Sequence, residues 1–395
     1  MAKYVDDEYE EERPRKKSSS GSKSGKKPSG KKSSGKKGSG KKASNKKQQA
    51  KKQRRRIIIF IVEIIILVVA VFVLYSVLTA TKGGKMEIKE DDIIINEPVK
   101  EAQETTMKGY RNIALFGVDS TTGALTKNTR SDTIMIASIN QDTGECKLVS
   151  VYRDTYLNLS NDTYNKCNAA YAKGGPEMAI NMLNMNLDMN ITDFVTVGFA
   201  GLTDTVDALG GVWIDVDDAE ISHLNNYQLC IAEDLKRSYT PVTSTGYQLL
   251  DGLQATGYCR IRYTAGDDFK RAERQREVLS AVADQAKKAS VTKLKDTADS
   301  VFSETYTSLD LSEIIEMLGD VNKYYISDTA GFPQESNRAT GTIGSKGSCV
   351  VPVSLEDNVK WLHQFLFNDY DYEPSATVKQ CSEKIYSDTN GYLKK

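Results

Sequence analysis

Residues 112–155 read NIALFGVDSTTGALTKNTRSDTIMIASINQDTGECKLVSVYRDT, and the alternation of apolar runs with charged breaks sets the fold class. Asn112–Val118, Thr133–Ile139 and Lys147–Val151 have the length and composition of three strands. Each borders on charge. Asp119 closes the first, Arg130 and Asp132 open the second, and Arg153 and Asp154 follow the third. Charges at successive strand ends mark the place where α/β proteins keep their ligands. Asp119 and Asp132, on neighbouring strand ends, suit Mg²⁺, which takes hard oxygen ligands and leaves positions for substrate phosphates. The same aspartates also suit turns and caps.

A second charged stretch, Tyr258–Gln275 (YCRIRYTAGDDFKRAERQ), predicts strand, turn and helix. On a strand, Arg260 and Arg262 share a face; on a helix, Arg271, Arg274 and Gln275 share a side. Joined at Gly266-Asp267-Asp268, they aim four guanidinium groups at one place. Arginine is planar, permanently charged and bidentate, so such a group fits a ligand with several anionic oxygens, a pyrophosphate for example. Alternating charge of this kind also describes an ordinary solvated face.

Further strands are expected at Phe194–Phe199 and Val212–Val216, with a helix at Ala200–Leu209 between them. Longer helices are expected at Glu177–Met189 and Phe269–Ser290, and helical patterns at Leu311–Leu318 and Ser354–Phe367. The mixture predicts one large α/β domain, a mixed central sheet flanked by helices. Met178, Met182, Met185 and Met189 form a stripe at helical spacing. That stripe reads either as core or as the lining of a lipid pocket.

The N-terminal part has another character. Residues 1–56 carry a repeating Lys-Lys-x-Ser-Gly pattern and a net charge of +15, too polar to fold alone. Ile57–Thr79 (IIIFIVEIIILVVAVFVLYSVLT) is apolar but for Glu63, Ser76 and Thr79, long enough for a single transmembrane helix. The basic end predicts a cytoplasmic N-terminus and an extracytoplasmic bulk, whose net charge is −15. The predicted organisation is a tail at 1–56, a membrane span at 57–80, a stalk at 81–108, a catalytic domain at 109–310 and its C-terminal part at 311–395. The acidic bulk argues against a nucleic-acid partner.

All six cysteines (Cys146, Cys167, Cys230, Cys259, Cys349, Cys381) fall on the outer side, where disulfides are permitted but not specified. No Cys-x-x-Cys occurs, and His223 and His363 have neither metal-ligand spacing nor a triad motif. Zinc, thiol-redox and serine–histidine chemistry are therefore disfavoured.

The chain resembles the LytR–CpsA–Psr family of membrane-anchored glycopolymer phosphotransferases. The resemblance is carried in order by FGVDS, TRSDT, SVYRDT, NKCNAAYAKGG, LTDTVDALGGVWIDV, GYQLLDGLQATGYCRIRY and DFKRAERQ, between about Tyr110 and Val282. It implies transfer of a glycopolymer from a polyprenyl-pyrophosphate lipid carrier onto a peptidoglycan sugar hydroxyl. By resemblance, Asp119 and Asp132 hold Mg²⁺. Arg130, Arg153, Arg260, Arg262, Arg271, Arg274 and Gln275 clamp the pyrophosphate, and Asp154 or Asp268 orients the clamp or accepts a proton. It also implies an apolar tunnel for the lipid tail, which favours a lipid-binding role for Met178, Met182 and Met185. Two residues depart from the pattern: Tyr152 stands where many relatives have proline, and Asp267 where glycine is usual. A lipid-pyrophosphate hydrolase needs the same charge neutralisation, and a non-catalytic envelope regulator or glycan-binding protein is a third reading.

Overall fold

The computed structural model describes residues 84–120, 125–126, 128–262, 264 and 266–393. The predicted basic tail and membrane span lie outside them. Among the described residues no helix is long and apolar enough to cross a membrane.

The strands, in chain order, are β1 (Gly84–Lys85), β2 (Tyr110–Val118), β3 (Ser131–Asn140), β4 (Glu145–Val151), β5 (Tyr156–Asn158), β6 (Tyr164–Lys166), β7 (Asp193–Val197), β8 (Val212–Val216), β9 (Gly246–Leu250), β10 (Thr305–Thr307), β11 (Tyr325–Phe332), β12 (Arg338–Thr342) and β13 (Ser348–Pro352). The helices are α1 (Glu97–Ala102), α2 (Asn168–Leu187), α3 (Phe199–Leu209), α4 (Asp218–Leu235), α5 (Gly252–Tyr258), α6 (Asp267–Lys288), α7 (Val291–Val301), α8 (Leu311–Gly319), α9 (Leu355–Phe367) and α10 (Ala376–Leu393).

Seven strands make a mixed sheet in the order β1-β10-β7-β2-β3-β4-β11. β3 is antiparallel to both β2 and β4, while β7 runs parallel to β2 and β11 parallel to β4. The C-terminal ends of β2, β4, β7 and β11 therefore share one edge with the start of β3. That edge collects the charged strand ends.

The two faces of the sheet are used differently. Ala114, Phe116, Ile134, Ile136 and Val149 pack with Ala179, Ile180 and Leu183 of α2, and this core continues into α9 and α10 through Leu362, Leu366, Val378 and Ile385. On the other face, Leu115 pairs with Met135 and Val195, and Gly117 with Thr133 and Val197, in two rows across three strands. Above those rows lies a helical lobe with a core of its own. There the β8–β9 ribbon lays Val212, Ile214, Val216 and Leu250 against Val278 of α6.

Two sequence expectations are corrected. Tyr258–Arg262 is no strand: it is the end of α5 followed by a turn. The cause is a capping box, with Asp251 accepting from the Gln254 backbone N–H and the Gln254 side chain reaching back, which starts a helix that carries Tyr258 and Cys259 into the lobe's core. Val212–Val216 forms the expected strand and pairs with β9 in the ribbon. The methionine helix begins at Asn168, because two helical segments run together across Gly175, whose φ of 69° only glycine takes easily. All six cysteines are free thiols.

Candidate functional site

The site begins with an irregularity at the mouth of the sheet. Gly117 pairs with Thr133 but Val118 pairs with Ser131, so Asp132 is an extra residue in β3. Such a bulge re-aims a side chain that simple alternation would send elsewhere. Asp132 and Thr133, adjacent in sequence, both line the same cavity.

Asp132 is the hub of a charged cluster. Arg153 Nη1 donates to its Oδ1 at 2.8 Å and Arg262 Nη2 to its Oδ2 at 3.3 Å, while Arg271 Nη1 lies 3.7 Å from Oδ2. Asp268 faces the same three arginines, at 3.5 Å from Arg153, 3.6 Å from Arg262 and 3.3 Å from Arg271. Asp154 lies at the cluster's other side, 3.5 Å from Arg153 Nε and 2.9 Å from Lys166 Nζ. Burial works against the Asp132 charge, but Arg153, Arg271 and Arg262 outweigh it and hold the carboxyl below its usual range. Burial, followed by the repulsion of Arg153 and Arg262, pushes Arg271 down to about 10. Three guanidinium groups thus face two carboxylates, and Arg271, 4% exposed, keeps its Nε without a hydrogen-bond partner. Such a cluster gains from an added anion.

Directly behind it, the two rows of sheet residues and the helices above them enclose a cavity of about 350 Å³. Its walls are mostly apolar: Leu115, Met135 and Val195 from the sheet, Leu202 from α3, and Val278 and Leu279 from α6. Asp119, Asp132, Arg260, Arg262, Arg271 and Gln275 also line it. The Arg260 guanidinium lies 4.3 Å from the Phe199 ring centre and 5.3 Å from that of Tyr227. A space of this kind accepts an amphiphile whose anionic head stays among arginines.

The structure therefore brings together Asp119, Asp132, Arg153, Asp154, Arg260, Arg262, Asp268, Arg271 and Gln275. Gln275 Nε2 donates to the Cys259 carbonyl at 3.4 Å. Arg130 is exposed in the segment leading into β3. Arg274 is elsewhere: 1% exposed, it donates to Glu220 at 2.7 Å, Thr264 at 2.7 Å and the Ile261 carbonyl at 3.3 Å. It braces the lobe and lines no part of the cavity, because the last turn of α5 replaces the expected strand and brings Ile261 and Thr264 to it. The methionine stripe lies on the sheet's opposite face. Met182 is fully buried in that core with Met178 packed against it, and Met185 borders a separate polar groove. The apolar walls come instead from residues in β2, β3, β7, α3 and α6, whose separation in sequence hid them.

Asp119 is exposed at the end of β2, whereas both oxygens of Asp132 face arginines. Among the described residues no group of three or more His, Cys, Asp or Glu side chains could hold a metal unaided. An ion held by these two carboxylates would have to take its remaining ligands from substrate phosphate and water.

Sequence reasoning also missed Arg338, from β12. Its guanidinium lies 3.8 Å from the Phe269 ring centre and donates to the Tyr152 hydroxyl at 3.0 Å. Tyr152 and Phe269 meet edge to face at 4.7 Å, so the neighbours of Arg153 and Asp268 are locked together. Gly331 permits this, since a Cβ there would overlap the Tyr152 hydroxyl. The unusual Tyr152 was the available signal.

The sequence model described as the LytR_cpsA_psr family matches residues 74–342. The polyisoprenyl-teichoic acid–peptidoglycan teichoic acid transferase TagU of Oceanobacillus iheyensis is 30% identical over 52% of this chain and 61% of its own length. Biofilm regulatory protein A of Streptococcus mutans is 31% identical over 53% of this chain and 52% of its own length. The chain thus spans less than two thirds of these curated relatives. A solved Enterococcus faecalis protein, described as a transcriptional regulator, superposes with a TM-score of 0.56 at 23% identity, covering 73% of this chain and 98% of that one. This last likeness is one of fold: a mixed sheet flanked by helices.

Proposed function

The chain belongs to the LytR–CpsA–Psr family, and from that premise we propose that it is an extracytoplasmic, membrane-anchored phosphotransferase moving a glycopolymer from a polyprenyl-pyrophosphate carrier onto a peptidoglycan sugar hydroxyl. One observation carries the reading. An apolar cavity of about 350 Å³ shares its lining with a cluster in which three arginines face two aspartates. That is the shape and charge of a lipid pyrophosphate, tail inward and head at the sheet edge. The named activity of TagU points the same way.

The chemistry asks for positioning and charge neutralisation more than for covalent help. Arg153, Arg262 and Arg271 hold the pyrophosphate oxygens, with Arg260 and Gln275 at the neck of the cavity. The acceptor hydroxyl attacks the glycan-bearing phosphorus, and the bond to the polyprenyl phosphate breaks. A phosphodiester is left on the acceptor, and the hydroxyl proton goes to Asp154. Asp268, in contact with all three arginines, orients the clamp. Asp119 and Asp132 would hold Mg²⁺ against the phosphates, where it would withdraw charge from the departing oxygen.

The test uses the full chain in detergent with a synthetic polyprenyl-pyrophosphate disaccharide, Mg²⁺ and peptidoglycan oligomers, and mass spectrometry for a saccharide-phosphate adduct. The adduct is expected from the parent chain and reduced about 10²–10³-fold in Arg153→Ala and Asp132→Ala. Free saccharide phosphate without adduct identifies a hydrolase. Lipid binding that survives both substitutions, without turnover, identifies a binding protein.

A further inference from the structure

On the face of the sheet opposite the apolar cavity lies a second opening. It is a groove of about 540 Å³ between the β5–β6 hairpin and α10, with Asn158, Asp162 and Tyr164 on one wall and Gln380, Glu383 and Lys384 on the other. The helical wall lies beyond residues 74–342, the part of the chain that matches the family.

The chemistry of the groove differs from that of the arginine cluster. Lys384 is paired with Asp388, leaving Asp162 and Glu383 as carboxylates, so the groove repels an anion instead of clamping one. Lys384 also covers the Tyr164 ring, so what remains are carboxylates, the Gln380 amide and the Thr377 and Ser387 hydroxyls, groups that hydrogen-bond hydroxyls and amides. An uncharged polyhydroxylated strand bearing amides matches them.

Strand β6 links the groove to the reacting centre. Tyr164 and Lys166 lie two apart on β6, hence on one face and roughly 7 Å apart. Lys166 Nζ lies 2.9 Å from Asp154, which in turn contacts Arg153. In an in-line displacement the attacking and leaving oxygens stand on opposite sides of the phosphorus. With the lipid leaving toward the cavity on one face of the sheet, the attacking hydroxyl arrives from the other. We propose that the β5–β6/α10 groove is the acceptor-glycan subsite, taking an amide-bearing sugar strand whose terminal hydroxyl reaches the phosphorus past Asp154. The proposal deepens the transferase reading and rests on it.

The probe is chitotetraose, an uncharged N-acetylated sugar strand, with binding to the full chain in detergent followed by saturation-transfer NMR and calorimetry. Saturable binding is expected, weakened tenfold or more by Gln380→Leu and by Glu383→Leu, which sit on the outward side of α10. Both variants are expected to keep their affinity for the polyprenyl-pyrophosphate disaccharide, and to raise the acceptor KM while leaving kcat within twofold. No saturable binding by the parent chain, or equal binding by parent and variants, overturns the subsite. Loss of chitotetraose binding in the variants supports it even when no adduct forms, an outcome that would strike at the transferase reading alone.

Discussion

Arg271 and Arg274 stand three residues apart on one side of α6 and have opposite employments. Arg271 sits among like charges and gains from an incoming phosphate, so Arg271→Met should abolish detectable transfer while leaving the melting temperature near that of the parent. Arg274 is paired with Glu220 in the lobe's interior, at 2% and 4% side-chain exposure. Arg274→Met strands that carboxylate and should cost about 3–5 kcal/mol of stability, most of it recovered in Arg274→Met/Glu220→Met, as thermal and urea melts would reveal. Asp132 adds a pH signature. Its folded pKa lies below the ordinary carboxylate value, so its contribution is complete above about 3.9 and disappears as pH falls through the folded value. Melting temperatures of Asp132→Asn should therefore decline less steeply than the parent's as pH falls below about 4. A parallel decline in both chains would dismiss this account of the hub.

Among the elements, strands and helices with a strong period were legible. β2, β3 and β4 follow from their apolar runs, and α3, α6, α8 and α9 from their 3.6-residue spacing. Failures cluster where two periods agree locally. Arg260 and Arg262 satisfy a strand's alternation, but the capping box at Asp251 commits the same residues to a helix end. The bulge at Asp132 was invisible because register belongs to a pair of strands, not to one. The cavity walls were unreadable for a related reason: Leu115, Leu202 and Leu279 are ordinary core residues until the fold leaves a space among them. Element packing also sets a second pH response. His363 of α9, fully buried, stacks 3.5 Å from the Tyr372 ring centre and hydrogen-bonds the Leu187 carbonyl at the end of α2. Burial pushes it down to about 4. The unfolded chain takes up the proton first, near 6.5, so stability should fall by about 3 kcal/mol as pH drops from 6.5 to 4, then level off. His363→Phe should flatten that limb of the melting-temperature profile. The close approach of α5 to α3 gives a steric check: a Cβ at Gly252 would collide with the Thr203 carbonyl, so Gly252→Ala should destabilise by about 1–3 kcal/mol in urea melts.

At the scale of the molecule, the two sheet faces divide the labour, one solid and one hollow. Interiors are normally close-packed, so an apolar space of about 350 Å³ is a standing cost in stability. Val282→Phe, directed into it from α6, should raise the melting temperature and weaken binding of the lipid substrate, with tail-less pyrophosphate sugars unaffected. A variant that melted higher and still bound the lipid as the parent does would refute the assignment of the space. Between β10, second from one edge of the sheet, and β11 at the other edge, the chain crosses the fold through α8, and Leu318 and Val321 close over Leu209 and Ala286. Arg111 ties the crossing down, 2.6 Å from Glu313 and 2.8 Å from Asp193. A chamber of this size accommodates a drug-sized molecule, so on the proposed reading it takes the part of the tail next to the head and leaves the rest in the bilayer. Hydrocarbon gains nothing by leaving a bilayer for an equally apolar wall, whereas each methylene pulled into water costs about 0.8 kcal/mol. On the proposed reading the carrier is therefore never carried off. It is grasped by the neck while its tail stays rooted in the membrane, and the enzyme works as a harvester along a surface.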